Sequence, residues 1–427
     1  MARCAILAVG DELTTGQKVD TNSAWLSGQL LARGIATVEH ATVPDDAGAI
    51  GAAIGRLGRA AGIVLVTGGL GPTADDLTRQ GLAIALGEEG APAELIEDAD
   101  AMAEIRRWFE SSGRRMPEPN RAQALRPRSA TCLPNEFGTA PGLRAELEGA
   151  AVFCLPGPPR EMRPMFEERV LPELPEPDRV IVARFLHTFG AGESQVAEAL
   201  GELMDRGRNP VVGTTASGGI VTSRVRAEFE SPEAAAAALD ETEEAVRRRL
   251  GDLVFGAGDD TLESVAVDLM RDRKQTLATV ESCTGGMLGA MLTEISGASD
   301  VYRGGWVTYT NEMKVTEVRV PREALDRHGA VSREVAAAMA GGGREASGAD
   351  WALAITGIAG PGGGSEAKPV GTVWIACAGP GDALDTRRFV FPGSRDDVRQ
   401  WSARSALGML RLHLIGRRGD ALLRQAE

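Results

Sequence analysis

The sequence is poor in the side chains that most often carry hydrolytic chemistry. It has four histidines in 427 residues (His40, His187, His328 and His413), scattered and outside every polar motif. A Ser-His-Asp triad is therefore disfavoured, and a base must come from another side chain. The five cysteines, Cys4, Cys132, Cys154, Cys283 and Cys377, form no C-x-x-C pair. That excludes a zinc ribbon and a disulfide framework, and it fits a reducing cytoplasm. No apolar run approaches the roughly 18 residues needed to span a bilayer. The short run at residues 4–9 is ended by Asp11 and Glu12 and reads as a buried strand rather than a signal peptide. Basic charge is short as well. A net charge of −14 argues against nucleic acid or an anionic membrane as a direct partner.

Two further shortages matter because of where the few copies fall. Only four of the 46 basic residues are lysine: Lys18, Lys274, Lys314 and Lys368. Arginine is the default cation here, so a lysine marks a place for a compact ammonium or one able to lose its proton. Tyrosine occurs only at Tyr302 and Tyr309. Both follow closely on Glu281-Ser282-Cys283-Thr284-Gly285-Gly286, a polar turn between an apolar run at 276–280 and a helical pattern from 287. A hydroxyl and a thiol at a strand-to-helix turn, with converging amides, can form a nucleophile with an oxyanion hole.

Alternating strand and helix patterns over the first 90 residues imply parallel βαβ units. A proline-rich stretch at 156–177 leads into a compact α+β segment, and a Gly-Asp break near 256–260 opens a last α/β region. The expected organisation is α/β: two doubly wound domains, 1–172 and 257–427, joined by a small α+β module at 173–256. Ligands on such sheets bind outside the carboxyl ends of the strands.

Two sites follow. Thr67-Gly68-Gly69-Leu70-Gly71-Pro72-Thr73-Ala74-Asp75-Asp76-Leu77-Thr78 runs from a buried strand into a helix, and its glycines admit a close phosphate. Asp75 and Asp76, in the expected first helical turn, either bind a divalent cation or charge the helix start. Gly10-Asp11-Glu12 ends the first strand on the same edge. At the second site, three strands run into loops: 281–286, 304–314, and 356–364 with Lys368-Pro369-Val370-Gly371-Thr372. The loops bring Ser282, Cys283, Thr284, Tyr309, Lys314 and Lys368 within reach of one another. Ser282 as nucleophile needs Tyr309 or Lys314 as base, each with its pKa, ordinarily about 10, pulled down. Ser282 as a helix N-cap, Cys283 as a core residue, and Lys314 and Lys368 as ion-pair or phosphate partners are the competing readings.

The motifs resemble the CinA family over nearly the whole chain. T-G-G-L-G-P-T-x-D-D-L-T, G-D-E-L-x-x-G-Q-x-V-D-T-N-S-A-W-L and the segments at 120–124, 135–142 and 155–162 are similar to its molybdopterin-binding-like amino-terminal domain. The resemblance implies ADP-ribose pyrophosphatase activity with a divalent metal (cobalt, magnesium or manganese) and potassium. It puts Gly68, Gly69, Gly71 and Thr78 at the phosphate, with Asp75, Asp76 and Asp11 as metal ligands. Binding of a nucleotide or pterin without hydrolysis is the alternative. E-S-C-T-G-G, G-G-x-V-x-Y-x-N-E-x-K and T-G-I-A-G-P-G-G-G are similar to the family's carboxy-terminal nicotinamide-nucleotide amidase domain. That implies hydrolysis of nicotinamide mononucleotide by Ser282, activated by Tyr309 and Lys314, without a cofactor. Substrate contacts would come from Glu281, Cys283, Thr284, Gly285, Gly286, Thr356, Gly357, Gly360, Gly362 and Lys368. The resemblance also implies a homodimer, and the family name suggests a competence or DNA-damage accessory role as a further alternative.

Overall fold

The computed structural model describes residues 2–426 apart from Glu89, Pro177, Asp178 and Asp382. The chain divides into two compact units, Met1–Val182 with Glu228–Ala235, and Ala183–Ala227 with Ala236–Glu427.

The first unit is built on a six-stranded sheet. Strands Ala36–Val43, Arg3–Val9, Ile63–Thr67 and Ala150–Leu155 lie side by side in parallel. Gly142–Leu147 and Thr131–Leu133 extend the sheet antiparallel. The parallel strands read as unbroken apolar runs because both faces are covered. Ala5, Leu7, Val64 and Val66 pack on helix Ala47–Ala60, while Ile6, Leu65 and Phe153 pack on the other face with Leu26 and Leu30. The antiparallel extension departs from the doubly wound expectation and has a local cause. Glu148 and Gly149, both at positive φ, close a two-residue hairpin between Gly142–Leu147 and Ala150–Leu155.

The second unit holds most of a four-stranded sheet, in the order Val211–Ser217, Ile220–Phe229, Val180–Phe189 and Val254–Ala257, with helices Glu193–Leu200 and Pro232–Leu250. This is the α+β pattern expected. Another six-stranded sheet follows. Tyr302–Val307, Leu277–Glu281 and Trp351–Gly357 run parallel. Thr372–Ala378, Leu384–Val390 and Gln425–Ala426 then continue antiparallel. Residues 358–371 contain no helix, so the chain turns straight back instead of crossing over. Both large sheets are thus mixed, within the α/β class.

The buried helix Arg395–Leu414 ties the small sheet to the large one. Arg404 Nη1 donates to Gly218 O at 2.7 Å, and Arg411 donates to Asp252 O and Val254 O, both at 2.8 Å. Gly219, at φ +87°, rests on the Trp401 ring, where an added Cβ would stand 2.5 Å from ring carbon Cζ3. No helix among the described residues is long and apolar enough to cross a membrane.

Candidate functional site

Three parallel strands end on one edge of the second large sheet, and their successors meet there. Leu277–Glu281 is the middle one of the three. Its ladder continues for one more step on each side: Ser282 N donates to Ile355 O at 3.0 Å, and Thr308 N donates to Glu281 O at 2.8 Å. The chain then turns through Gly285 (φ +61°) and Gly286 (φ +94°) into helix Met287–Thr293. Gly286 takes the N-cap position, so Ser282 is not the cap and its hydroxyl is left for other work.

Glu281 fixes this turn. Its carboxylate is buried and accepts from Gly286 N at 3.1 Å, Leu288 N at 3.0 Å and Gly289 N at 2.8 Å. A negative charge on the first amides of a helix is favourable. The side chain therefore serves the helix start and not a ligand. We expect Glu281→Gln to lower stability by about 1–3 kcal/mol, because the amide puts an NH2 group against backbone donors. A thermal melt within about 1 °C of wild type would contradict this.

The hydroxyl of Ser282 meets Lys314. Lys314 Nζ lies 3.1 Å from Ser282 Oγ and 2.7 Å from Thr308 O. Lys314 is only 1% exposed and has no carboxylate partner among the described residues, while Ser282 is 9% exposed. Burial alone pulls the ammonium pKa below its ordinary value. The sequence pattern puts Lys314 in a loop, but it stands inside helix Asn311–Val318, whose N-cap hydroxyl, Thr310 Oγ1, accepts from Met313 N at 3.2 Å. The helix aims the lysine stem inward. Tyr309, the other candidate base, is 57% exposed and its hydroxyl accepts from Arg395 Nη2 at 2.9 Å. Of the two candidates, the lysine is the one in contact with the serine.

The remaining expected residues divide between walls and supports. Cys283 belongs to the apolar core, and burial pushes its thiol up to about 12. Gly285 N is taken by Ser282 O at 3.1 Å and Gly286 N by Glu281. The Cys283 amide faces its own thiol, and the Thr284 amide makes no backbone hydrogen bond among the described residues. Thr356 Oγ1 donates to Ala330 O at 2.8 Å, and Lys368 Nζ to His328 O at 3.1 Å, so both brace loops. Gly357 and Gly360 are needed for packing, since a Cβ would press on Val373 and Val370 respectively, while Gly362 faces open space.

Two arginines outside the sequence motifs complete the edge. Arg395 Nη1 donates to Gly360 O at 2.7 Å, and Arg399 Nη2 to Thr284 O at 2.9 Å. Both stand at the start of helix Arg395–Leu414 and reach over the loops from there. Arg395 has no carboxylate partner among the described residues. Their signal was present, four residues apart after a Ser394 cap, but arginine is too common in this chain to stand out.

The amino-terminal motifs line a cleft of about 700 Å³ in the first unit. Gly68 (φ +103°) and Gly69 (φ +65°) approach Val9 O and Thr78 Oγ1 so closely that a Cβ would sit 2.4 Å away in each case. Thr78 is fully buried, and its hydroxyl donates to Gly68 O at 2.8 Å. It braces the glycine loop from behind. The helix starts at Thr78, so Asp75 and Asp76 lie in the turn before it and not in its first turn. Asp76 Oδ2 accepts from Thr73 N at 2.8 Å and Thr73 Oγ1 at 2.5 Å, which commits it to shaping the turn. Asp11 and Asp45 exchange hydrogen bonds, Asp11 N to Asp45 Oδ2 at 2.9 Å and Asp45 N to Asp11 Oδ1 at 3.2 Å. Burial, together with the negative charges of Asp11, Asp75 and Glu12, raises the Asp45 carboxyl. The described residues contain no group of three or more His, Cys, Asp or Glu side chains able to hold a metal ion. The expected set of Asp75, Asp76 and Asp11 therefore does not fit a ready-made metal centre.

Residues 259–414 match the CinA C-terminal domain, residues 5–176 the family described as "Probable molybdopterin binding domain", and residues 183–256 the damage-inducible protein CinA KH domain. A CinA-like protein of Synechococcus sp. (strain RCC307) is 42% identical over 416 residues, covering 96% of this chain and 98% of the relative. The chain belongs to the CinA family. A second CinA-like protein, from Frankia casuarinae, is 42% identical over 425 residues, covering 97% of this chain and 96% of its own. Among solved structures, the competence/damage inducible protein CihA from Agrobacterium tumefaciens is 40% identical, covers 36% of this chain and 93% of its own, and superposes with a TM-score of 0.35. The CinA C-terminal match contains the whole serine–lysine edge.

Proposed function

We propose that the carboxy-terminal site is an amidase that hydrolyses the carboxamide of nicotinamide mononucleotide, in the cytoplasm, to nicotinic acid mononucleotide and ammonia. The observation that carries this reading is the buried Ser282–Lys314 contact. A lysine without a counter-ion, desolvated and 3.1 Å from a hydroxyl, is set up to act as a neutral base. Lys314 Nζ donates to Thr308 O and to Ser282 Oγ, and on losing a proton the amine can offer its lone pair to the serine hydroxyl in place of that second bond.

The step follows from that arrangement. Ser282 Oγ attacks the carboxamide carbon while its proton passes to Lys314 Nζ. The amide of Thr284, two residues past the nucleophile and without a backbone partner among the described residues, suits the developing oxyanion. The lysine ammonium then returns the proton to the leaving nitrogen, and ammonia departs from an acyl-serine. Water, deprotonated by the same lysine, releases the acid. Arg395, which has no carboxylate partner among the described residues, and Arg399 beside the Thr284 carbonyl suit the 5′-phosphate of the substrate. Ammonia release from nicotinamide mononucleotide by the purified chain tests the reading. Release no faster than from buffer would sink it.

A second reading concerns the amino-terminal cleft, which we take to bind a phosphate-bearing nucleotide. The glycine loop from Gly68 to Gly71 at its floor favours it. Hydrolysis of ADP-ribose is the finer form of this reading. It is measured by AMP release with cobalt, magnesium or manganese, with and without potassium. Asp75→Ala is expected to reduce turnover at least tenfold, because Asp75 lines the cleft beside the glycine loop, where a carboxylate can orient the attacking water. Unchanged turnover would remove Asp75 from the site, and no turnover with any metal would leave the cleft as a binding module.

A further inference from the structure

The segments 135–142 and 155–162 carry a buried acid, Glu161, that neither reading above uses. It stands in helix Pro159–Met165, is 8% exposed, and lines the amino-terminal cleft. We propose that Glu161 reads the pentose of the bound nucleotide, accepting hydrogen bonds from its vicinal diol. The proposal rests on the reading of this cleft as a nucleotide site.

A buried carboxylate is costly unless its oxygens are satisfied. Oε2 is held by a protein donor, while Oε1 reaches the solvent of the cleft. Oε2 accepts from Asn135 Nδ2 at 2.9 Å. The orientation of that amide is set by its other contacts, since Nδ2 also donates to Ala140 O at 2.9 Å and Oδ1 accepts from Phe137 N at 3.0 Å. Gly138 leaves the space for the seat, because a Cβ there would stand 2.0 Å from Oε2. Oε1 has no hydrogen bond among the described residues. The nearest cation, Arg160 Nε, is 3.8 Å away on an exposed side chain. One oxygen is thus fixed by a built socket, and the other is left open in the cleft.

The chemistry of that oxygen selects its partner. An ionised carboxylate only accepts, so the group beside it must donate and cannot be a phosphate. The phosphate therefore belongs at the glycine loop, and Glu161 meets the uncharged part of the ligand. A heterocycle edge with two adjacent N–H groups needs both carboxylate oxygens side by side. Here Asn135 engages one of them. A single oxygen with open lone pairs matches two neighbouring hydroxyls. Acidic residues serve ribose hydroxyls in the same way in dinucleotide-binding sheets.

The test is equilibrium titration of the full chain with AMP and with 2′,3′-dideoxy-AMP, in wild type, Glu161→Gln and Gly138→Ala. Wild type is expected to prefer AMP about 10- to 100-fold, the range for hydrogen bonds to a charged group. Glu161→Gln should shrink the preference to about threefold or less. Gly138→Ala should do the same by unseating the carboxylate while leaving its charge in place, which separates loss of the socket from loss of the acid. Equal wild-type affinity for the two nucleotides, or a preference that survives both substitutions, overturns the proposal. A preference for AMP over inosine 5′-monophosphate in place of the diol preference would show that the base is read instead. AMP binding without diol preference sinks this inference alone, whereas no binding of either nucleotide at millimolar concentration removes the nucleotide site beneath it.

Discussion

Ser282→Ala is expected to lower ammonia release from nicotinamide mononucleotide by about 10³-fold or more, with little change in stability. The size follows from the loss of a sole nucleophile. Neither neighbour can replace it. The Cys283 thiol sits in the core, and burial raises it to about 12, so it is protonated at neutral pH and faces apolar side chains. Thr284 is fully buried and its hydroxyl meets no base. The small stability effect follows from the contacts. Among the described residues Ser282 Oγ bonds only to Lys314, and the lysine keeps its bond to Thr308 O when the hydroxyl is gone. Binding of substrate should be nearly unchanged, because the arginines and the Thr284 amide remain. A variant that keeps more than a tenth of wild-type turnover would rule out the acyl-serine route and leave attack by water.

Much of this site was legible in the sequence because it depends on local patterns. The apolar runs before Thr67 and Glu281 are strands because they are covered on both faces, and their glycine turns follow from positive φ. Scarcity was a useful guide too, since one of only four lysines proved to be the base candidate in contact with Ser282. Other features were hidden because they depend on contacts between distant segments. Choosing between Tyr309 and Lys314 required knowing that the helix Asn311–Val318 turns one inward and leaves the other beside Arg395. The supporting role of Glu281 depends on helix amides five to eight residues later. A motif match cannot tell such a support from a ligand contact. The antiparallel strands of the large sheets are hidden for a similar reason. A strand pattern carries no direction, and the hairpin at Glu148-Gly149 has only a weak turn signature.

Lys314 allows the serine–lysine pairing to be tested by pH as well as by mutation. Lys314→Arg is expected to cost about 10²- to 10⁴-fold in kcat/KM, the usual contribution of a general base. A guanidinium keeps its charge, its hydrogen bonds and much of its size, but it has no lone pair to offer. In wild type, kcat/KM should rise with pH as the lysine loses its proton. The midpoint should lie below the ordinary lysine range, since burial lowers the pKa. The same burial acts on stability with a definite sign. A lysine whose pKa is lowered on folding binds fewer protons in the native state than in the unfolded one. Stability is therefore greatest above the unfolded pKa of about 10.4 and falls as pH drops toward the folded value. Below that value the native state carries the full cost of an unpaired buried ammonium. Lys314→Met removes this cost, so it should raise the melting temperature at neutral pH, and the gain should shrink as pH approaches 10. An amidase-dead Lys314→Met that is also less stable than wild type at pH 7 would mean that the contacts to Ser282 and Thr308 outweigh the desolvation, and that the lysine is held charged. A more stable, inactive variant would identify a lysine buried without a counter-ion at the expense of the fold, which is the expected sign of a residue retained for chemistry.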